Sequence, residues 1–251
     1  MIDNPFYSPL TQGDFKLFDL GNLVLESGET LRGAKLAYRI FGTLNADKSN
    51  AVLVTTWFSG TGKVMQDVYV GPGHALNPER FFIIIVEQLG SGVSSSPHNM
   101  PAPQTMAKFP KLSIGDDVSA QHRLLTEVFG IDELALVVGG SMGGQQVYEW
   151  AVAYPEMVRR AAVIAATARI SLHQRVFVQA LIEAVTSDHF RVCHSPFIDL
   201  LPAHRTAHNK GQLVDAENFG QQPVLRTDII PNRQFRKLRH RLRCRHVVRR
   251  R

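Results

Sequence analysis

Cysteine is almost missing from this chain. Cys193 and Cys244 are the only two in 251 residues, and both lie late. Two are too few for a disulfide framework, so a reducing compartment is expected. No apolar run reaches the ~20 residues of a membrane-spanning helix. The opening stretch MIDNPFYSPLTQGDF has neither a basic start nor an apolar core, so no secretory signal is read there. The expectation is a cytoplasmic protein with no membrane partner, no metal site and no bound cofactor.

Acids and aromatics are scarce at the C-terminal end. Residues 191–251 hold 14 of the 28 Lys and Arg but only 4 of the 22 Asp and Glu. The net charge of +6 therefore comes from this segment, since residues 1–190 hold 14 basic and 18 acidic side chains. The last nineteen residues, RQFRKLRHRLRCRHVVRRR, carry ten Lys or Arg, no acid and one aromatic, Phe235. Such a run attracts phosphates, but one aromatic gives little means of stacking on bases. No nucleic-acid partner is expected. The abrupt onset reads as an altered-frame or altered-splice end rather than a binding arm.

What the chain does have is a sequence of strand and helix signals. Residues 14–42 alternate as antiparallel strands do, with ESGET as a turn. Four short continuous apolar runs follow: AVLVTTW from 51, FFIIIVEQLG at 81–90, LALVVGG at 134–140 and AAVIAAT at 161–167. Continuous runs fit strands buried on both faces of a parallel sheet. Helical patterns lie between them. In SIGDDVSAQHRLLTEVFGI, Ser113 is the expected N-cap, with Asp116 and Asp117 in the first turn. Val118, Leu124, Leu125 and Val128 form its expected apolar face. GGQQVYEWAVAYP stops at Pro155, and SLHQRVFVQALIEAVTSD reads as a further helix. This is a doubly wound α/β pattern with a mostly parallel sheet. It stops near residue 190, which divides the chain into a partial core at 1–190 and an irregular, strongly basic tail at 191–251. No internal repeat is visible.

One junction carries chemistry. The run LALVVGG ends in Gly139-Gly140-Ser141-Met142-Gly143, and a helical segment begins at once. In a Gly-x-Ser-x-Gly turn the serine sits in strained backbone geometry, and small residues two before and two after let strand and helix pass closely. The turn lifts the hydroxyl above the sheet and aims the helix N-terminus at a developing oxyanion. The backbone N–H of Met142 is one expected oxyanion donor. The loop after an earlier strand, TTWFSGTG at 55–62, holds the place of the other.

With these segments the chain resembles the homoserine O-acetyltransferase family of the α/β-hydrolase fold. The matching stretches are LESGETLRGAKLAYRIFGTLNADKSNAVLV, VGPGHALNPERFFIIIVEQLGSGVSSSP and SIGDDVSAQHRLLTEVFGIDELALVVGGSMGGQQVYEWAVAYPEMVRRAAVIAATAR. They cover residues 14 to about 190. The Gly-Gly-Ser-Met-Gly-Gly elbow with Glu149-Trp150 is the distinctive part. The resemblance implies an α/β-hydrolase fold, here truncated after the sixth strand. It also implies ping-pong transfer of an acyl group from acyl-CoA, a co-substrate, through Ser141 to an alcohol acceptor. By position, Ser141 is the nucleophile, and Phe58 and Met142 supply the oxyanion N–H groups.

The chain departs from that family in three places. Thr56-Trp57-Phe58-Ser59-Gly60 stands where the acetyltransferases usually have His-Ala-Leu-Thr-Gly, and the two bulky rings reshape the acyl pocket. Ile182 stands where an arginine engages the acceptor's carboxylate. The acid and base, which in this fold follow the serine in the order Asp then His, have no matching segment. Asp199, His204 and His208 invite a triad, but an Asp before two leucines and a proline is more simply a turn residue. His122 falls in a helical pattern, on its expected solvated face, and His74 and His98 fall in loops. Acid and base stay unassigned.

Three readings result. The first is a serine acyltransferase of the homoserine O-acetyltransferase type, impaired if its acid–base pair is missing. The second is an esterase-like hydrolase of a small ester, favoured by Trp57-Phe58 and the absent arginine. The third is an inactive truncated or frame-altered product whose tail binds polyanions. A sheet ending at AAVIAAT would leave an apolar edge open to self-association.

Overall fold

The computed structural model describes residues 4–169, 171–186 and 228–231. The chain divides into two compact units, Met1–Ala168 with Thr227–Arg251 and Arg169–Arg226. In the second unit the described structure is one helix, α5 (Leu172–Thr186), where a helix was expected.

The first unit opens with a 3-10 turn at Pro5–Tyr7 and a single-turn helix, α1 (Pro9–Gln12). The alternating segment forms β1 (Lys16–Val24) and β2 (Thr30–Phe41), an antiparallel pair with Leu23 opposite Leu31. The four apolar runs become β3 (Ala51–Thr55), β4 (Phe82–Val86), β5 (Leu136–Gly140) and β6 (Arg160–Ile164). All five residues of β3 and of β4 are buried, as strands covered on both faces must be.

The sheet order is β1-β2-β4-β3-β5-β6, followed by β7 (Asp228–Pro231). β3 pairs in parallel with both β4 and β5, and β5 pairs in parallel with β6. Since β2 is antiparallel to both β1 and β4, β1 also points with this central group. The sheet is mostly parallel, as expected. On the far side of β6, β7 pairs antiparallel with it, from Asp228 opposite Val163 to Pro231 opposite Arg160. Over those residues β6 has a hydrogen-bonded neighbour on the side away from β5. Nothing in the composition of LRTDIIPN marked this strand, because a short edge strand is defined by its partner.

The sheet has an apolar cluster on each face. Leu53, Ile84, Val86 and Val137 point to one, with Val118, Leu124, Val147 and Trp150 packed over them. Val52, Val54, Ile83, Ile85 and Val138 point to the other, covered by Met65 and Leu76. The covering helices are α2 (Gly62–Tyr69), α3 (Ile114–Arg123) and α4 (Met142–Ala153). At α3, Ser113 caps Asp116 N–H and the Asp116 carboxylate returns to Ser113 N–H, a reciprocal capping box.

The expected apolar face of this segment fails at its end. Residues Leu124–Val128 form a π-helical turn. Its wider winding carries Val128 out of phase, and that side chain is 44% exposed, while Leu124 and Leu125 are fully buried. No described helix is long and apolar enough to cross a membrane.

The parallel strands follow a reversing path. From β3 the chain moves to β4 on one side, then returns to β5 on the other. The chain thus reverses direction at the carboxyl ends of β3 and β5, the place where doubly wound sheets bind ligands.

Candidate active site

Ser141 lies at that end of the sheet, between the end of β5 and the start of α4. Its backbone has φ 51° and ψ −121°, a conformation sparsely populated by residues other than glycine. Such strain costs about 1–3 kcal/mol and persists only where the surroundings enforce it. Here they do. Ser141 N–H donates to Ile164 O at 2.9 Å, which ties the turn to β6, and Ser141 O accepts the first bond of the helix from Gln145 N–H at 3.2 Å.

The glycines around the serine are fixed by space. A Cβ on Gly139 would lie 2.5 Å from Gly143 C and 2.2 Å from Thr55 Oγ1. One on Gly143 would lie 2.7 Å from Thr55 O and 2.8 Å from Thr56 O. Strand β5, helix α4 and the end of β3 thus touch backbone to backbone. Thr55, which the sequence did not single out, donates from Oγ1 to Gly143 O at 2.9 Å and holds this contact. Gly144 is constrained too, since a Cβ would come within 2.5 Å of Ala166 Cβ.

Met142 is the first residue of α4, so its N–H has no partner within the helix and faces the positive end of the helix dipole. The loop after β3 lies against the elbow. The ring of Trp57 stands 3.5 Å (Cε3) from where a Cβ on Gly140 would be, and Tyr69 Oη stands at the same distance. Trp57 and Tyr69 meet edge to face, with centroids 6.4 Å apart. The two aromatics crowd Gly140, the residue before the serine. Phe58, next in the chain, has its side chain turned to solvent, 73% exposed, so any role at the site rests on its backbone N–H.

The far end of this loop is anchored in the core. Gly62 N–H, at the start of α2, donates to Glu87 Oε1 at 2.6 Å. Glu87 is fully buried, and Arg39 Nη2 stands 3.9 Å away, too far for a charged hydrogen bond. Burial pushes the Glu87 carboxyl up to about 7 against the pull of the Gly62 bond and Arg39. Burial also lowers the Arg39 pKa, but a guanidinium keeps its proton in proteins, so the pair's positive charge stays on Arg39.

The histidines do not converge on Ser141. Among the described residues no hydrogen bond joins a histidine side chain to the serine. His122 is not on a solvated face: it is half-buried and stacked on Tyr154, with ring centroids 4.0 Å apart and planes within 10°. Burial lowers its pKa. His98 stacks on Tyr7, and His74 is exposed beside Gly71. Asp199, His204 and His208 lie outside the described residues, as do both cysteines and the basic tail after residue 231. A cavity of about 310 Å³ lined by Glu26, Asp116, Glu149 and Tyr154 shares no lining residue with the elbow.

A family model described as the alpha/beta hydrolase fold matches residues 63–211. The chain belongs to the α/β-hydrolase fold family. Within it, the chain is 54% identical over 185 residues to an ethyl acetate hydrolase of Pseudomonas veronii, covering 74% of this chain and 53% of that protein. The crystal structure of an acetylester hydrolase from Corynebacterium glutamicum matches with a TM-score of 0.72 at 50% identity, over 74% of this chain and 53% of that one. The relationship to the homoserine O-acetyltransferases holds at greater distance: the Thermobifida fusca enzyme is 35% identical over 237 residues, 84% of this chain and 62% of its own length. The ester hydrolases stand nearer, which reverses the order of the first two readings drawn from the sequence. The chain spans about half the length of these two ester hydrolases.

Proposed function

We propose that this chain carries the nucleophile and oxyanion hole of a serine carboxylester hydrolase acting on small esters, acetyl esters foremost. The observation that carries the reading is Ser141, held at φ 51° at the carboxyl end of β5 with the N-terminus of α4 behind it. In the reaction, Ser141 Oγ attacks the ester carbonyl carbon and loses its proton to a base. The carbonyl oxygen gains the electron pair, and the N–H groups of Met142 and Phe58 hold it. The intermediate collapses, expelling the alcohol, which takes up a proton, and leaves an acyl-serine that water hydrolyses. The base and its acid follow the serine in the chain order of this fold, so both belong after residue 141. No bound cofactor enters these steps, and the partner is a small molecule.

Two features favour hydrolysis of short acyl groups. The ester hydrolases are the nearer of the relatives compared, and Trp57 with Tyr69 fills space beside Gly140 that a long acyl chain would need. The second reading, acyl transfer from acyl-CoA to an alcohol, keeps the support of the acetyltransferase relatives. Fluorophosphonate labelling read by intact mass tests the nucleophile: wild type takes one label and Ser141→Ala none. Hydrolysis of p-nitrophenyl acetate faster than of the butyrate, with no dependence on homoserine, supports the esterase. Acetyl-CoA consumption that requires homoserine would replace it with the transferase, and no labelling of a folded chain would overturn both.

A further inference from the structure

We propose that a one-way chain of hydrogen bonds through three buried glutamines orients the Trp57–Phe58 peptide and so aims the Phe58 N–H at the oxyanion. The inference rests on the donor role given to Phe58 above. The chain begins at Trp150, whose indole Nε1–H donates to Gln121 Oε1 at 2.8 Å. Gln121 Nε2 donates to Gln146 Oε1 at 2.6 Å, and Gln146 Nε2 donates to Gln88 Oε1 at 3.2 Å. Gln88 Nε2 then donates to Trp57 O at 3.0 Å.

The direction is forced. An indole N–H can only donate, so it must meet the oxygen of Gln121. That leaves the Gln121 amide nitrogen for Gln146, and the same logic passes to Gln88 and on to the carbonyl. Trp150, Gln121 and Gln146 have no exposed surface, and Gln88 has 3%. A reversed amide would leave buried donors face to face at a penalty of about 1–3 kcal/mol for each unsatisfied group.

The last acceptor gives the chain its meaning. Trp57 C=O and Phe58 N–H belong to one planar peptide unit, so fixing the carbonyl fixes the N–H on the opposite side. Gly60 N–H donates to the same oxygen at 3.2 Å, so both lone pairs are engaged. A peptide whose carbonyl accepts hydrogen bonds is also the stronger donor through its N–H. The links run from α4 to α3, back to α4, the helix that Ser141 caps, and on to the loops after β4 and β3. The nucleophile's helix and the remote oxyanion donor are thereby set in one frame. Gln88, Gln146 and Gln121 are positioning residues.

The sequence Trp-Phe occurs once, at residues 57–58. The full chain labelled with carbonyl-13C tryptophan and 15N phenylalanine therefore gives one carbonyl–amide NMR correlation from this peptide. Gln88→Met and the remote Gln121→Met are both expected to shift it. Gln12→Met, which breaks a different buried amide bond to Phe6 O, is expected to leave it in place. In Gln121→Met the rate of Ser141 labelling by fluorophosphonate should fall about 10-fold, a fraction of the loss from removing one oxyanion donor. A correlation that stays put in both folded relay variants overturns the proposal. So does a shifted correlation with labelling at the wild-type rate. If wild type does not label at all, the esterase reading fails, and the correlation by itself decides the relay.

Discussion

Replacing Gly139 by alanine sets a steric test of the elbow. The added Cβ would stand 2.2 Å from Thr55 Oγ1, 2.5 Å from Gly143 C and 2.6 Å from Gly143 O. Carbon contacts are comfortable from about 3.5 Å, so the first turn of α4 must retreat from β5 by about 1 Å. The Thr55 hydroxyl can rotate away, but its bond to Gly143 O at 2.9 Å is then lost, about 1 kcal/mol. Overpacking adds ~1–3 kcal/mol, and the stiffer unfolded chain returns about 0.4–1 kcal/mol. The expected net destabilisation is about 1–3.5 kcal/mol, read as a lower urea midpoint at unchanged slope. Moving Ser141 by 1 Å from the proposed oxyanion donors should also slow fluorophosphonate labelling by about 100-fold. Gly140→Ala is the paired control. Its Cβ meets nothing closer than 3.5 Å, and neither glycine has a positive φ. Its stability should stay within about 0.5 kcal/mol of wild type. Equal stability for the two alanine variants would refute the reasoning, because only the contact distances separate them.

Two further perturbations bear on strain and charge. Ser141→Gly removes the proposed nucleophile but accepts φ 51° without penalty, so it should be more stable than Ser141→Ala by about 1 kcal/mol in urea unfolding; the opposite order would mean that the turn stores no strain. Asp117 is buried, and desolvation pushes its carboxyl up to about 8 despite the bond it accepts from Leu89 N–H. It keeps a proton in the folded chain that an unfolded aspartate releases near ~3.9, so unfolding free energy falls as pH rises between those values and levels off above. Asp117→Asn can still accept from Leu89 and lacks that slope. Its stability relative to wild type should grow from about pH 4 to about pH 8, and a difference that does not vary with pH counts against the assignment.

The elbow was legible in the sequence because its causes are local. Gly139 and Gly143 stand two residues either side of Ser141, and strand, turn and helix follow in one unbroken stretch. The same holds for the buried strands, whose continuous apolar runs mark two covered faces, and for Ser113 with Asp116, whose reciprocal cap spans three residues. Each is a short-range steric or hydrogen-bonding requirement written in adjacent letters. Readings that depended on distant partners fared differently. His122 was placed in solvent by helical phase but stacks on Tyr154, and Val128 was placed in the core by a period that a π turn breaks. Gln121 carried a faint signal, a polar residue between Val118 and Leu125 on an apolar face. Gln88, in a loop, carried none.

What the sequence by itself determined is which long apolar and periodic segments become strands and helices and where a serine is lifted out of the sheet. Only the tertiary structure decided that Trp57 and Tyr69 crowd Gly140, that Asp117 is buried from water, and that β7 pairs along β6. It alone joined Trp150 to Trp57 through three amides. Gln88 and Gln146, bonded in the core, are 58 residues apart in the chain. The physical reason is range: backbone strain, capping and periodic burial act between neighbours. Desolvation and the direction of a hydrogen-bonded amide depend on whatever the fold brings alongside.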